Sequence, residues 1–210
     1  MPDPRTQIVA DGYDAMGDAF AAWREGFVGD PRREWEDELL ARLDEGARVL
    51  ELGCGGGAPE TKRLAQRFAV TGVDISPRQV ERARAAISEA EFVCADFTEL
   101  QLPPRSFEAV VSFYAFNHVP REFLAPLLEH IHEWLSPGGW LMVAFGQSDN
   151  AGWTGPFLGE QTYFASYPPE TNSRLVREAG FRIERDEVVT FHEPEPDAGT
   201  GRFQWVLAQA

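Results

Sequence analysis

The chain has 210 residues, which suits one α/β domain with at most a small lid. It is 43% hydrophobic and 25% charged, an ordinary globular balance, and no apolar run approaches the roughly 18 residues that cross a bilayer as a helix. The formal net charge is -15, with 19 basic against 34 acidic residues and Lys62 as the single lysine, so neither nucleic acid nor an anionic membrane surface is expected as a partner.

The N-terminal Met-Pro-Asp-Pro-Arg lacks the basic-then-apolar pattern of a signal peptide, and Cys54 and Cys94 form no Cys-x-x-Cys pair. Both features predict a cytoplasmic protein with free thiols. Residues from about Thr6 to Phe27 read as a helix, with Ile8, Val9, Phe20, Trp23 and Phe27 as its apolar points. Pro31 opens a second helix through Trp35, Leu39, Leu40 and Leu43, closed by Gly46. Val49 to Leu52 is a short apolar strand, followed by the turn Gly53-Cys54-Gly55-Gly56-Gly57. Pro59 favours a helix start, because its missing N–H would be unpaired there anyway.

Ala69 to Val73 is the next strand. Ser76-Pro77-Arg78-Gln79 has the form of a capping box and predicts a helix to about Ile87. Glu91 to Ala95 and Phe107 to Phe113 are the third and fourth strands. The Ala-Val-Val centre of the latter implies burial on both faces. A helix from about Pro120 to Leu135 gives way at Pro137-Gly138-Gly139 to a fifth strand, Trp140 to Phe145. An aromatic segment, residues 146–169, precedes a helix ending at Gly180. Two strands, Phe181 to Thr190 and Arg202 to Leu207, then follow with no helix between them.

Strands alternating with helices predict a three-layer α/β fold around a parallel sheet. The closing pair predicts an antiparallel C-terminal strand in a seven-stranded sheet. The expected organisation is one domain over residues 1–210, with residues 1–30 as a helical lid and residues 146–169 as an insertion on the substrate side.

The chemistry is concentrated at the glycine turn. Glycine there lets the backbone take positive φ and lets a ligand approach main-chain atoms. Ligands of open α/β sheets bind beyond the C-terminal strand ends, where the winding reverses, and the first strand lies at that point. Asp74 ends the second strand about 20 residues on, where a carboxylate can accept both hydroxyl protons of a ribose.

Three segments carry a family resemblance. They are Glu51-Leu52-Gly53-Cys54-Gly55-Gly56-Gly57; Phe92-Val93-Cys94-Ala95-Asp96-Phe97; and Phe107 to Ser112 with Asn117-His118-Val119-Pro120, leading to Leu135-Ser136-Pro137-Gly138-Gly139-Trp140. In this order and spacing the chain resembles the class I S-adenosylmethionine-dependent methyltransferases, in their small-molecule branch. The resemblance covers about Ala47 to Phe145 by motif and the closing strands by pattern. It implies a Rossmann-like sandwich and S-adenosylmethionine as cofactor. It further implies methyl transfer by in-line displacement to an O or N atom of a small molecule.

Carried over by position, it implies that Gly53 and Gly55 hold the methionine part and that Glu51 orients the glycine turn. Asp74 takes the ribose hydroxyls and Ile75 packs on the adenine. Asp96 and Phe97 complete the adenine site, and the main chain around Phe113 meets the amino end. Tyr13 is expected at the cofactor's carboxylate. His118, after the fourth strand, is the best candidate for a general base, followed by Tyr114, with Asn117, Tyr163 and His192 weaker. Aromatic walls are expected from Tyr13, Phe20, Trp23 and Phe27, and from Trp153, Phe157, Tyr163, Phe164 and Tyr167. His130 and His132 are two apart on a helix and do not face each other, so no metal site is expected.

Alternatives stay open. Gly53-x-Gly55-x-x-Ala58 also satisfies the dinucleotide fingerprint, so a nicotinamide-dependent oxidoreductase is the rival reaction class. Lys62 has no tyrosine four residues before it, against a short-chain dehydrogenase. A non-catalytic S-adenosylmethionine-binding protein is the third reading. Ser112-Phe113-Tyr114-Ala115 stands where methyltransferases of exocyclic base amines carry Asp/Asn-Pro-Pro-aromatic, against a nucleic-acid substrate.

Overall fold

The computed structural model describes residues 3–57, 59–192 and 200–210. Ala58, which would close the dinucleotide fingerprint, lies outside the described residues. Two helices, α1 (Pro4–Met16) and α2 (Asp18–Glu25), precede α3 (Arg32–Leu40). There follow β1 (Arg48–Leu52), α4 (Glu60–Ala65), β2 (Ala69–Asp74), α5 (Pro77–Ala86), β3 (Glu91–Cys94) and β4 (Phe107–Ser112). Then come α6 (Arg121–Trp134), β5 (Leu135–Gly146), β6 (Asn150–Phe157), β7 (Glu160–Ser166), α7 (Pro169–Glu178), β8 (Arg182–His192) and β9 (Thr200–Gln209).

The main sheet has seven strands in the order β3-β2-β1-β4-β5-β9-β8. β1 to β5 pair in parallel, and β9 runs antiparallel to both β5 and β8. This is the expected sheet, antiparallel strand included. Its winding reverses between β1 and β4, so a crevice opens at their C-terminal ends. Both faces are covered, as the continuous apolar runs require. One face packs Leu50, Val110, Leu141 and Val206 under α6, through Leu127, Leu128 and Ile131. The other packs Val49, Val111, Met142 and Leu207 under Trp35, Leu39 and Leu64. Trp35 and Trp205 meet there with ring centroids 5.4 Å apart, both fully buried.

Four local features depart from the sequence expectation. The long first helix is two helices, split at Gly17, whose φ of 49° is outside the helical range. A side chain at Gly17 would also run into the Arg78 guanidinium. β5 starts at Leu135, before the Pro-Gly-Gly turn, and its pairing with β4 slips between Phe107 and Ala109 as Gly138 takes positive φ. The aromatic segment contains a separate two-stranded antiparallel sheet, β6–β7. The Ser76 cap is half a capping box: Ser76 Oγ accepts from Gln79 N at 3.1 Å, but the Gln79 amide donates to the Tyr13 carbonyl at 3.4 Å.

The β6–β7 hairpin and α1 pack on each other over the crevice. Val9 on α1 forms a small cluster with Tyr163 and Ala165 on β7. Gly12 lies flush against the Gln161 carbonyl, where any larger residue would collide. At its other end α1 is tied to the β2–α5 loop: Asp14 accepts from Ser76 Oγ, and from Arg78 N at 3.1 Å.

Candidate cofactor and acceptor site

A cavity of about 340 Å³ occupies the crevice. Tyr13, Glu51, Gly53, Gly55, Asp74, Ile75, Asp96, Phe97, Phe113, Tyr114, Asn117 and His118 line it, whereas Tyr163 and His192, the other base candidates from sequence, do not. The lining residues converge because each lies at or just beyond the C-terminal end of a strand, or is carried over those ends by α1.

The glycine turn is shaped by β2. Gly53 N and Cys54 N both donate to the Val73 carbonyl, at 2.8 and 3.1 Å. Gly53 has φ 78°, and a Cβ there would overlap the Ala115 methyl, so only glycine fits. Asp74 Oδ2 accepts from Gly55 N at 2.8 Å and Oδ1 from Ser76 N at 2.9 Å. Burial raises the Asp74 pKa, and these backbone donors oppose the rise. Ser112 Oγ donates to the Leu52 carbonyl at 2.8 Å, locking the ends of β4 and β1 together.

Asp96 caps the short 3-10 turn Phe97–Glu99, where Oδ1 accepts from Thr98 N at 2.9 Å and from Thr98 Oγ1 at 2.7 Å. Its Oδ2 is buried without a partner. The Phe97 ring stacks on Phe116 at 5.9 Å. Glu51 is buried at the end of β1, and its Oε2 is also without a partner. Burial pushes its carboxyl up to about 8, so it carries a proton at neutral pH.

His118 closes the 3-10 turn Phe116–His118 after β4. Its Nδ1 lies 2.7 Å from the Tyr163 carbonyl, which only accepts, so Nδ1 carries the hydrogen. Nε2 is then an acceptor and takes the Tyr13 hydroxyl at 2.8 Å. Burial pushes His118 down to about 4 and keeps it neutral. Tyr13 is itself raised by burial.

Tyr114 follows β4 with φ 65°, in the left-handed region. Its hydroxyl donates to Asp30 Oδ1 at 3.0 Å, and burial, then the Asp30 charge, hold the phenol in its protonated form. Its ring lines the cavity.

Several lining residues went unnoticed in the sequence. Arg24 reaches over Gly55 from α2, pairs with Glu60, and leaves its Nε buried and unpartnered. Its signal was local: a lone arginine four residues after Phe20, on the same helix face. Phe191 and Phe203, from β8 and β9, complete the aromatic wall with Trp23, Phe27, Phe157 and Phe164. Trp153 is half exposed and stacks on Phe164 at 5.6 Å, and Tyr167 lies under Arg121. His130 stacks on Trp134 and His132 meets Phe181 edge-on. Among the described residues no group of three His, Cys, Asp or Glu side chains is placed to hold a metal ion.

The fold and the site define an α/β protein with an aromatic-walled cavity at the C-terminal ends of its parallel strands. Residues 49–139 match the family described as a methyltransferase domain. The chain is 30% identical over 164 residues to the 27-O-demethylrifamycin SV methyltransferase of Amycolatopsis mediterranei, a match covering 68% of this chain and 60% of that protein. It is 31% identical to the ubiquinone biosynthesis O-methyltransferase of Paramagnetospirillum magneticum, covering 75% and 65%. The chain thus spans less than two thirds of the length of these curated relatives. Among solved structures, the Burkholderia thailandensis 1,6-didemethyltoxoflavin-N1-methyltransferase, bound to 1,6-didemethyltoxoflavin and S-adenosylhomocysteine, superposes with a TM-score of 0.73 at 21% identity. That match covers 100% of this chain and 91% of the other. Over residues 49–139 the chain is thus similar to the methyltransferase domain family, and its fold is that of S-adenosylmethionine-dependent methyltransferases of solved structure.

Proposed function

We propose that this chain transfers a methyl group from S-adenosylmethionine to an oxygen or nitrogen atom of a small molecule. One observation carries the reading. Asp96 Oδ2, Glu51 Oε2 and Arg24 Nε are buried without partners, and all three side chains line the cavity. A buried unmet polar group costs about 1–3 kcal/mol. The three ask for an amino group, an ammonium and a carboxylate. A nucleoside joined through sulfur to an amino acid carries all of these, so the residues fit the cofactor.

In this reading Asp96 and Phe97 hold the adenine and Ile75 packs on it. Asp74 takes the ribose hydroxyls, since each of its oxygens keeps a free lone pair beside its backbone donor. Glu51, Gly53, Gly55 and the Phe113 main chain hold the amino-acid end. Arg24 takes the carboxylate, the role that the resemblance had given to Tyr13. α1, α2 and the β6–β7 hairpin act as the lid that excludes water.

When bound, S-adenosylmethionine supplies an electrophilic methyl carbon on a sulfonium. Orienting the acceptor against it is the protein's main contribution, worth about 7–11 kcal/mol when alignment is good. Tyr13 and His118 manage the acceptor's proton: Tyr13 hands its own to Nε2 and receives the one that leaves. A weakly basic imidazole suffices, because an oxygen or nitrogen becomes strongly acidic as it gains the methyl. The relatives are named for rifamycin, for ubiquinone biosynthesis and for toxoflavin, and a small acceptor with a flat apolar body suits the aromatic wall. The charge of -15 argues against a nucleic-acid substrate.

The test is calorimetric titration with S-adenosylhomocysteine, followed by transfer of labelled methyl from S-adenosylmethionine to a broad acceptor panel. Binding and transfer are expected. Binding of a nicotinamide cofactor in its place, or binding with no transfer to any acceptor, would overturn the reading.

A further inference from the structure

We propose that Asn117 reads a paired donor–acceptor edge, so that the acceptor is a planar heteroaromatic with a ring N–H beside a carbonyl. The proposal rests on the methyltransferase reading, which divides the cavity between cofactor and acceptor. Asn117 lies in the 3-10 turn immediately before His118 and lines the cavity. Asparagine in a turn ordinarily bonds to the nearby backbone. This one does not: its Oδ1 is buried with no partner among the described residues.

The side chain is held in place from below. A Cβ on Gly146, at the end of β5, would fall 3.4 Å from Asn117 Cβ and 2.7 Å from Ser166 Cβ, so Gly146 gives Asn117 its seat. Trp23, Phe27, Phe157 and Phe164 line the same cavity, and the three phenylalanine rings offer no hydrogen bond to the edge of a flat ligand. Each tyrosine hydroxyl there already donates its proton to a protein partner. Tyr13 is paired with His118, and Tyr114 with Asp30.

A carboxamide presents an acceptor and a donor side by side. Whichever way it is turned, its complement is a neighbouring N–H and C=O. A lone hydroxyl satisfies one atom and leaves the other unmet. A site built to hydrogen-bond a substrate rejects analogues that lack the group far more strongly than an apolar pocket rejects a change of size.

The experiment titrates the protein, saturated with S-adenosylhomocysteine, with three bicyclic probes of similar size. These are 4-hydroxy-2-quinolone, its N-methyl derivative and 1-naphthol. The quinolone is expected to bind at least tenfold tighter than either of the others. Asn117→Leu should abolish that preference while S-adenosylhomocysteine affinity is kept. If Asn117→Leu no longer binds S-adenosylhomocysteine, Asn117→Ser replaces it in the same comparison. Equal or absent binding of the three probes to a protein that binds S-adenosylhomocysteine overturns this proposal alone, as does a preference that survives in the variant. Failure to bind S-adenosylhomocysteine at all overturns the methyltransferase reading with it.

Discussion

The Tyr13 hydroxyl stands 2.8 Å from His118 Nε2, joining the covering helix α1 to the turn after β4 across 105 residues of sequence. The pair is complete only with the hairpin in place, because the Tyr163 carbonyl on β7 fixes the imidazole tautomer. If it accepts the acceptor's proton, His118→Ala should lower kcat by about 10²–10⁴-fold, the usual range for a general base. S-adenosylhomocysteine affinity should stay within a few-fold. Tyr13→Phe should lower kcat less, since a water or the acceptor itself can reach Nε2. Parallel stopped-assay and calorimetric measurements check this; equal losses in binding and turnover for His118→Ala would make it a packing residue.

Asp74 and Asp96 make different predictions, although the sequence presents them alike. Asp74 already organises the glycine turn through Gly55 N and Ser76 N. Asp74→Ala should therefore lower both stability and cofactor affinity. Asp96→Asn can keep an oxygen on Thr98 and turn an NH₂ toward the cavity in place of the unmet Oδ2. It should weaken S-adenosylhomocysteine binding by about 1.5–3 kcal/mol, roughly ten- to hundredfold, with the melting temperature unchanged. Calorimetry and thermal melts on both variants separate the two roles.

The legible parts of this molecule are the local ones. The strand–glycine turn–acid spacing from Glu51 to Asp74 reads directly because both strands are short, apolar and flanked by turn residues. The antiparallel end of the sheet was visible as two strands with no helix between them. The β6–β7 hairpin was not legible. Among the described residues β6 pairs with β7 alone and is mostly exposed, so Asn150–Phe157 shows no alternation of apolar and polar residues. The break at Gly17 was hidden by an apolar pattern that continues on both sides of it. Arg24 and Asn117 matter through contacts in three dimensions, and nothing in their neighbours' types announces an unmet nitrogen or oxygen.

Gly53 joins backbone geometry to binding. Gly53→Ala forces a Cβ onto the Ala115 methyl and an alanine to φ 78°. Left-handed strain alone costs about 1–3 kcal/mol, and the overlap adds to it. The expected outcome is a melting temperature lower by several degrees together with loss of S-adenosylhomocysteine binding. A variant as stable as the wild type would mean that the turn relaxes freely.

Glu51 gives the sharpest pH prediction. Its folded-state pKa is raised, from 4.5 to about 8, so between those values the folded protein holds a proton that the unfolded chain has lost. Stability from this group is therefore full below pH 4.5 and declines as pH rises to about 8, by about 1.4 kcal/mol per unit at most. Glu36, raised by burial to about 7 and held back by Arg63, acts with the same sign. His118 acts oppositely. Its lowered pKa means that stability is full above 6.5 and falls as pH drops toward 4. Glu51→Gln should flatten the alkaline side of a urea-denaturation profile and leave the acid side intact. The same substitution tests the site. At pH 7 the wild-type carboxyl is mostly protonated, and pairing Oε2 with the ligand's ammonium ionises it. Binding of S-adenosylhomocysteine should thus release close to one proton, read from calorimetry in buffers of different ionisation enthalpy. Glu51→Gln should release none, and an unchanged proton count in that variant would remove Glu51 from the cofactor's grip.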